Sequence, residues 1–196
     1  MHMGRKLNLI SIILLIMLIS ACEKEYTPKP KGYNRIDLPP HSYQKLKEDH
    51  PFTFEYSTAS IVEPHKSSIS EPHWIDIIYP ELHGSVEFTY KKINRDQKRL
   101  DEFLEDAHKL TSKHNIKAYS IDQAVTKTPK GYTAMIFELQ GEVPSQFQFY
   151  ITDSTTHFLR GALYFPTATK NDSLAPVIEY IKYDMMHLIN SLEWKK

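Results

Sequence analysis

One cysteine in 196 residues leaves no partner for a disulfide within the chain and no thiol pair for redox work. Glycine is sparse too. Gly4, Gly32, Gly84, Gly131, Gly141 and Gly161 are scattered, and neither GxGxxG nor GxxxxGK can be read, so no phosphate-cradling loop is encoded. No GxSxG elbow and no HExxH motif occurs. Neither sign of charge prevails, with 24 basic and 24 acidic residues in the chain. Without Arg5 and Lys6, the segment from residue 22 onward carries 22 basic and 24 acidic residues. A nucleic-acid partner calls for a strongly basic face, and this balance argues against one. No apolar run reaches the roughly 20 residues that span a bilayer. The longest, Leu7 to Ile19, is interrupted by Asn8 and Ser11.

What is present begins with that run. Arg5 and Lys6 precede it, and Ser20 and Ala21 follow it directly before Cys22. A basic start, a short apolar stretch and small residues ahead of a cut are the three parts of a secretory signal. Leu18-Ile19-Ser20-Ala21-Cys22 resembles the lipobox of bacterial lipoproteins. The resemblance implies cleavage between Ala21 and Cys22, diacylation of the Cys22 thiol, and membrane attachment through that residue. Glu23 rather than aspartate follows, so the enteric signal for inner-membrane retention is not met. Glu23-Lys24-Glu25 is a partial match to charged signals that send some lipoproteins to the cell surface. The expectation is an envelope protein anchored in the outer membrane and facing the periplasm.

Behind the anchor, residues 23–32 hold two prolines and no apolar periodicity, which reads as an extended spacer. Ile36, Leu38, Tyr43 and Leu46 are spaced to touch a domain, in ordered contact without regular structure. The division expected is a signal over 1–21, a lipidated tether over 22–50 and one domain over 51–196. That length supports a single core. Within it Phe52, Phe54 and Tyr56 alternate with polar residues, as do Val86, Phe88 and Tyr90, the period of half-buried strands. Strands are also expected over 74–79, 116–126, 132–140, 146–151 and 157–165. Asn94 with Gln97 three residues on predicts a helix start. Leu100, Phe103, Leu104, Ala107 and Leu110 give that helix, 95–115, its apolar stripe. A second helix over 174–193, opened by Asp172 or Ser173, carries Ile178, Ile181, Met185, Leu188 and Leu192. Short hairpin links such as Pro129-Lys130-Gly131 favour antiparallel pairing. The fold class is therefore α+β, a mainly antiparallel sheet covered by two amphipathic helices. Its layout is similar to the PsbP/Mog1-type sandwich, an analogy of fold alone.

Ten histidines make metal binding worth testing. Glu63-Pro64-His65 echoes Glu71-Pro72-His73, with His83 beyond. The spacing is not helical, and proline favours extended chain before it, so these read as loop residues. His108 and His114 lie six apart on the first helix and share no tight face, while His187 sits near the end of the second. No catalytic residue, cofactor or metal site is expected. Aromatics are the better lead. Of 12 tyrosines, Tyr26, Tyr33, Tyr43, Tyr150 and Tyr164 are candidates for positions outside the core, and tyrosine is enriched at interfaces.

The lipobox, the Tyr26-to-Tyr33 block (Tyr-Thr-Pro-Lys-Pro-Lys-Gly-Tyr) and Arg35-Ile36-Asp37-Leu38-Pro39 together resemble the GldD family of gliding-motility lipoproteins of Bacteroidetes. Residues 100–110, Arg160-Gly161-Ala162-Leu163-Tyr164-Phe165 and Ser191-Leu192-Glu193-Trp194 are similar to the same family. The resemblance implies a lipid-anchored, non-enzymatic accessory of the gliding machinery, linked to type IX secretion. Its partners would be the membrane, through acylated Cys22, and other motility or secretion proteins of the envelope. Only Cys22 corresponds to a position with a known role. A rival reading is a periplasmic or surface module that binds a small or glycan ligand in an aromatic groove.

Overall fold

The computed structural model describes residues 36–166 and 171–195. Ala21, Cys22 and the spacer with Tyr26 and Tyr33 lie outside the described residues. The described chain opens with three short strands, β1 (Tyr43–Lys45), β2 (Phe52–Thr53) and β3 (Glu55–Ser57). There follow β4 (Ile61–Pro64), β5 (Ile75–Tyr79), β6 (Gly84–Lys92) and helix α1 (Gln97–Ser112). Four longer strands come next: β7 (Ala118–Lys127), β8 (Thr133–Gly141), β9 (Phe147–Thr152) and β10 (His157–Tyr164). Helix α2 (Asn171–Ser191) and β11 (Glu193–Trp194) complete the domain.

Seven of the strands make one sheet in the order β4-β5-β6-β10-β9-β8-β7, every pair antiparallel. Two meanders build it, β4 to β6 and β7 to β10. β6 and β7 lie four places apart in this antiparallel order and so point the same way. A link between them must cross a face of the sheet, and α1 is that crossover. The α+β architecture read from the sequence, an antiparallel sheet with two helices, is the one the chain adopts.

The helices take opposite faces, and that settles the burial of the strands. On the α2 side Phe88, Phe147, Phe149, Ile151, Leu159 and Leu163 meet Val177, Ile181, Met185 and Leu188. On the α1 side Leu100 and Ala107 meet Phe137, Leu139, Tyr150 and Phe158, with Met135 packed against them. Met135, Phe137 and Leu139 thus share a face as their alternation predicts. The expectation of one wet face per strand holds for β5, where burial alternates, and fails for β9, where all six residues are buried. Coverage from both sides removes the polar period. Tyr150, expected outside the core, is buried there at 6% exposure. Gly161 sits where a Cβ would meet the Phe149 ring at 2.6 Å, so its missing side chain makes the room that ring fills.

Two local expectations need correction. The cap of α1 is Asp96, whose carboxylate accepts from the backbone N–H of Lys98 at 3.0 Å and Arg99 at 3.3 Å. Asn94 and Arg95 are both left-handed (φ 59° and 61°), so Asn94 cannot hold the extended backbone an N-cap needs. The double turn is held by the β9–β10 hairpin, with Ile93 N–H on Thr156 O (2.8 Å) and Arg95 N–H on Thr155 O (2.6 Å). Residues 36–50 do more than touch the domain. Tyr43–Lys45 pairs with Glu55–Ser57, Leu46 is 3% exposed, and Ile36 packs on the core. Side-chain periodicity carries no sign of a three-residue strand.

Candidate functional site

A cleft of about 810 Å³ opens at one end of the sheet. Four parts of the chain converge on it: the turn before β2 with Asp49 and His50, the β4–β5 loop with Glu71 and His73, the end of β6 with Tyr90 and Lys92, and the β9–β10 hairpin with His157. Lys195, just past β11, closes the rim. β11 reaches the cleft because it pairs with β2, Trp194 opposite Phe52. That pairing lays the indole under His157, ring centroids 4.8 Å apart and 12° from parallel. His157 Nδ1 and the Tyr90 hydroxyl are 2.7 Å apart, and His50 Nδ1 lies 3.2 Å from His73 Nδ1. His73 holds a left-handed backbone (φ 71°), uncommon outside glycine but one that histidine tolerates better than most residues.

Burial sets the electrostatics. It pushes His50 below the ordinary imidazole value, and neighbouring His73 adds to this. Burial also lowers His157, although Asp153 pulls the other way. The nearby Asp153 is itself held below the usual carboxylate range. Burial would raise it, but backbone N–H groups of His157, Thr156 and Thr155 all donate to its Oδ1 and prevail. Burial thus favours the neutral rings of His50 and His157 in an aromatic cleft that Asp49, Glu71, Lys92 and Lys195 also line. Such a surface can stack and hydrogen-bond, with Tyr90 and His157 as its closest polar pair.

A pH dependence follows from the lowered histidines. Each binds its proton more readily in the unfolded chain, so the unfolded state carries more protons between the lowered folded values and about 6.5. Stability is then lost as pH falls through that window and regained as it rises. The thermal unfolding midpoint should fall between pH 7 and pH 5. The His50→Asn, His157→Asn double variant should show a flatter profile; equal slopes for parent and variant would contradict the assignment.

The sequence candidates are scattered. His65 Nδ1 is 2.7 Å from Asp76, Glu63 pairs with Lys66, and Glu71 pairs with Lys91, so the Glu-Pro-His echo does not converge. His83 caps a 3₁₀ turn (Pro80–Leu82) away from the cleft, and His108 lies edge-on to Phe137. Burial lowers His114. Among the described residues no three histidine, aspartate or glutamate side chains gather as a metal would require. His50 and His157 had no sequence signal beyond their type, and Trp194 stood out only within the family-like block 191–194, since β11 and the β9–β10 hairpin bring the three together only in the fold.

A second constellation joins the tether to α2. Asp184, 2% exposed, lies 2.6 Å from His41 Nδ1 and accepts from the hydroxyls of Tyr43 and Tyr79, both at 3.1 Å. Burial, then the Asp184 charge, pushes both phenols far above their ordinary values, so they stay donors. His41 stacks on Tyr180 at 4.3 Å, and Tyr43 on His187 at 3.6 Å. His187 in turn pairs with Glu55 at 2.7 Å. His187, unremarkable in the sequence, holds the incoming chain.

A model of the family described as gliding motility lipoprotein GldD matches residues 23–194. The chain belongs to that family. The match covers the spacer, the clamp on α2 and the cleft save Lys195, and it begins one residue after Cys22. This GldD-family chain has no match among curated proteins. Among solved structures it is similar to cyanobacterial PsbP (CyanoP) from Synechocystis, at 11% identity and a TM-score of 0.49, over 85% of this chain and 100% of that one. No helix of the described residues is long and apolar enough to cross a membrane.

Proposed function

We propose that this gliding-motility lipoprotein is a non-enzymatic accessory or assembly factor, anchored in the envelope by acylated Cys22 and serving a machinery linked to type IX secretion. The signal over 1–21 is removed, and 22–50 is the tether, its later part from residue 36 packed on the working domain, which lies on the periplasmic side of the outer membrane. One observation carries this reading: the family match runs from residue 23 to residue 194, the spacer behind Cys22 included. The domain then acts through contact, and the cleft is its most structured contact surface. Tagged full chain, captured from detergent-solubilised envelope, should bring down motility or secretion components. Capture that recovers none of them, with the chain folded and membrane-bound, overturns the proposal.

A second reading has its own observation. His157 lies flat on Trp194 beside Tyr90, a platform of the kind on which sugar rings and aromatic groups stack. Under that reading the cleft takes a glycan or other small ligand, and Trp194→Ala removes binding while leaving partner capture intact.

A further inference from the structure

β7 closes one side of the sheet, and among the described residues it pairs with β8 alone. Its outer main-chain groups form a ten-residue edge, long for a solvated one. The opposite edge, β4, has four residues and ends on Pro64, which lacks an N–H to offer. β7 is longer and holds no proline, and its one irregularity, a register shift between Ala118 and Ser120, lies at its start, leaving Ser120 to Lys127 regularly paired on the inner side. From Asp122 to Lys127 it is exposed on both faces, with Val125 65% and Tyr119 85% exposed, and Ile116 at its entry 93%. An exposed edge of this length offers a ready template for pairing with another strand.

We propose that it pairs with the same edge of a second copy of this chain, antiparallel, with Gln123 opposite Gln123 on the twofold axis. The register follows from the strand itself. Residues directly opposite in an antiparallel pair share a face, and only alternate residues turn their N–H and C=O outward. Ile121, Gln123 and Val125 pair with Leu139, Phe137 and Met135 and so lie on the α1 face. A symmetric pairing that keeps faces and hydrogen bonds matched must place a residue on its axis. With Asp122 there, two carboxylates stand opposite each other, which is repulsive. An axis at Ile121 sets Val125 against Lys117, and one at Ala124 sets Ile121 against Lys127. The axis at Gln123 sets Ile121 against Val125 twice, Ser120 against Thr126 twice and Asp122 against Ala124 twice. Apolar meets apolar, hydroxyl meets hydroxyl, and no like charges face. The contact is isologous and closes on itself, giving a dimer with one continuous sheet rather than a filament. The edge lies apart from the cleft's lining and from the Asp184 clamp, so this inference stands or falls independently of the partner reading.

The test uses the full chain in its own envelope, where the parent, its one thiol taken up by the proposed acylation, sets the background. Gln123→Cys should form a covalent dimer on mild oxidation, at least about tenfold faster than Val125→Cys, because neighbouring copies lie close only at the axis. Adding Val125→Lys to Gln123→Cys should suppress the dimer to a similar degree, with protease resistance of the domain unchanged. Light scattering on the detergent-solubilised parent should read twice the monomer protein mass as concentration rises. The proposal is overturned if Gln123→Cys stays monomeric, if Val125→Cys links as fast, or if the product contains a different chain.

Discussion

Asp184→Ala is expected to lower the unfolding midpoint by roughly 5–15 °C and to free the segment before β2. The magnitude rests on what the carboxylate holds. It accepts from two tyrosine hydroxyls and meets an imidazole, at 3.1, 3.1 and 2.6 Å. Tyr79 is 3% exposed, so its hydroxyl has little water to turn to once the acceptor is gone. A buried donor left without a partner costs about 1–3 kcal/mol, and the further hydrogen bonds to a charged group raise the loss to roughly 2–4 kcal/mol. Relief of the buried charge offsets part of this, which keeps the figure below the cost of a fully desolvated broken pair. In a chain of this size each kcal/mol moves the midpoint by about 2–4 °C. Thermal unfolding reads the first effect. Limited proteolysis reads the second, as new cleavage within 36–47 while the sheet stays resistant. His41→Ala should be milder, since the His41 side chain is 34% exposed and its loss leaves Asp184 with both hydroxyls. A midpoint within a degree of the parent would mean the clamp does not hold the tether.

How far the sequence foretold this is best judged from particular residues. Long strands were legible because their apolar positions alternate, as Val86, Phe88 and Tyr90 do, or because proline and glycine mark the turn between them. α2 was legible from Ile178, Ile181, Met185 and Leu188. β1 and β11 were not, since three and two residues are too few for a period and their burial depends on partners more than a hundred positions away or at the far end of the chain. Nothing in the sequence singles out Asp184 on α2; only Tyr79 from β5 and His41 from the incoming chain show it to be interior. The cleft failed in the same way. Sequence drew attention to His65 and His73 through a repeated tripeptide, but β4 turns His65 toward Asp76 while the loop carries His73 to His50. Local repetition says nothing of where a sheet edge will send each copy.

The clamp gives the anchor a length, and this bears on the expected behaviour of Cys22→Ala. Covalent geometry limits the stretch from residue 22 to residue 36 to about 50 Å, whereas a tether free up to Pro51 would reach roughly 100 Å. With Ile36 packed on the core and His41 held by Asp184, the shorter leash applies. Under the proposed anchoring, each acyl chain contributes about 0.8 kcal/mol per buried CH₂, so two or more chains fix the protein to one bilayer effectively for good. Cys22→Ala removes that hold and leaves the sequence of the described domain unaltered. The chain should therefore leave the membrane fraction, keep its unfolding midpoint within about a degree, and lose its support of gliding almost entirely. Two comparisons separate attachment from chemistry at the cysteine. Cys22→Ala fused to an unrelated transmembrane anchor should recover most function if proximity to the membrane is what matters. Asp184→Ala, with Cys22 intact, should remain in the membrane yet act from a longer leash, so partial activity there would show that distance, and not attachment alone, sets the output. A soluble Cys22→Ala chain that supports full gliding would remove the anchor from the mechanism.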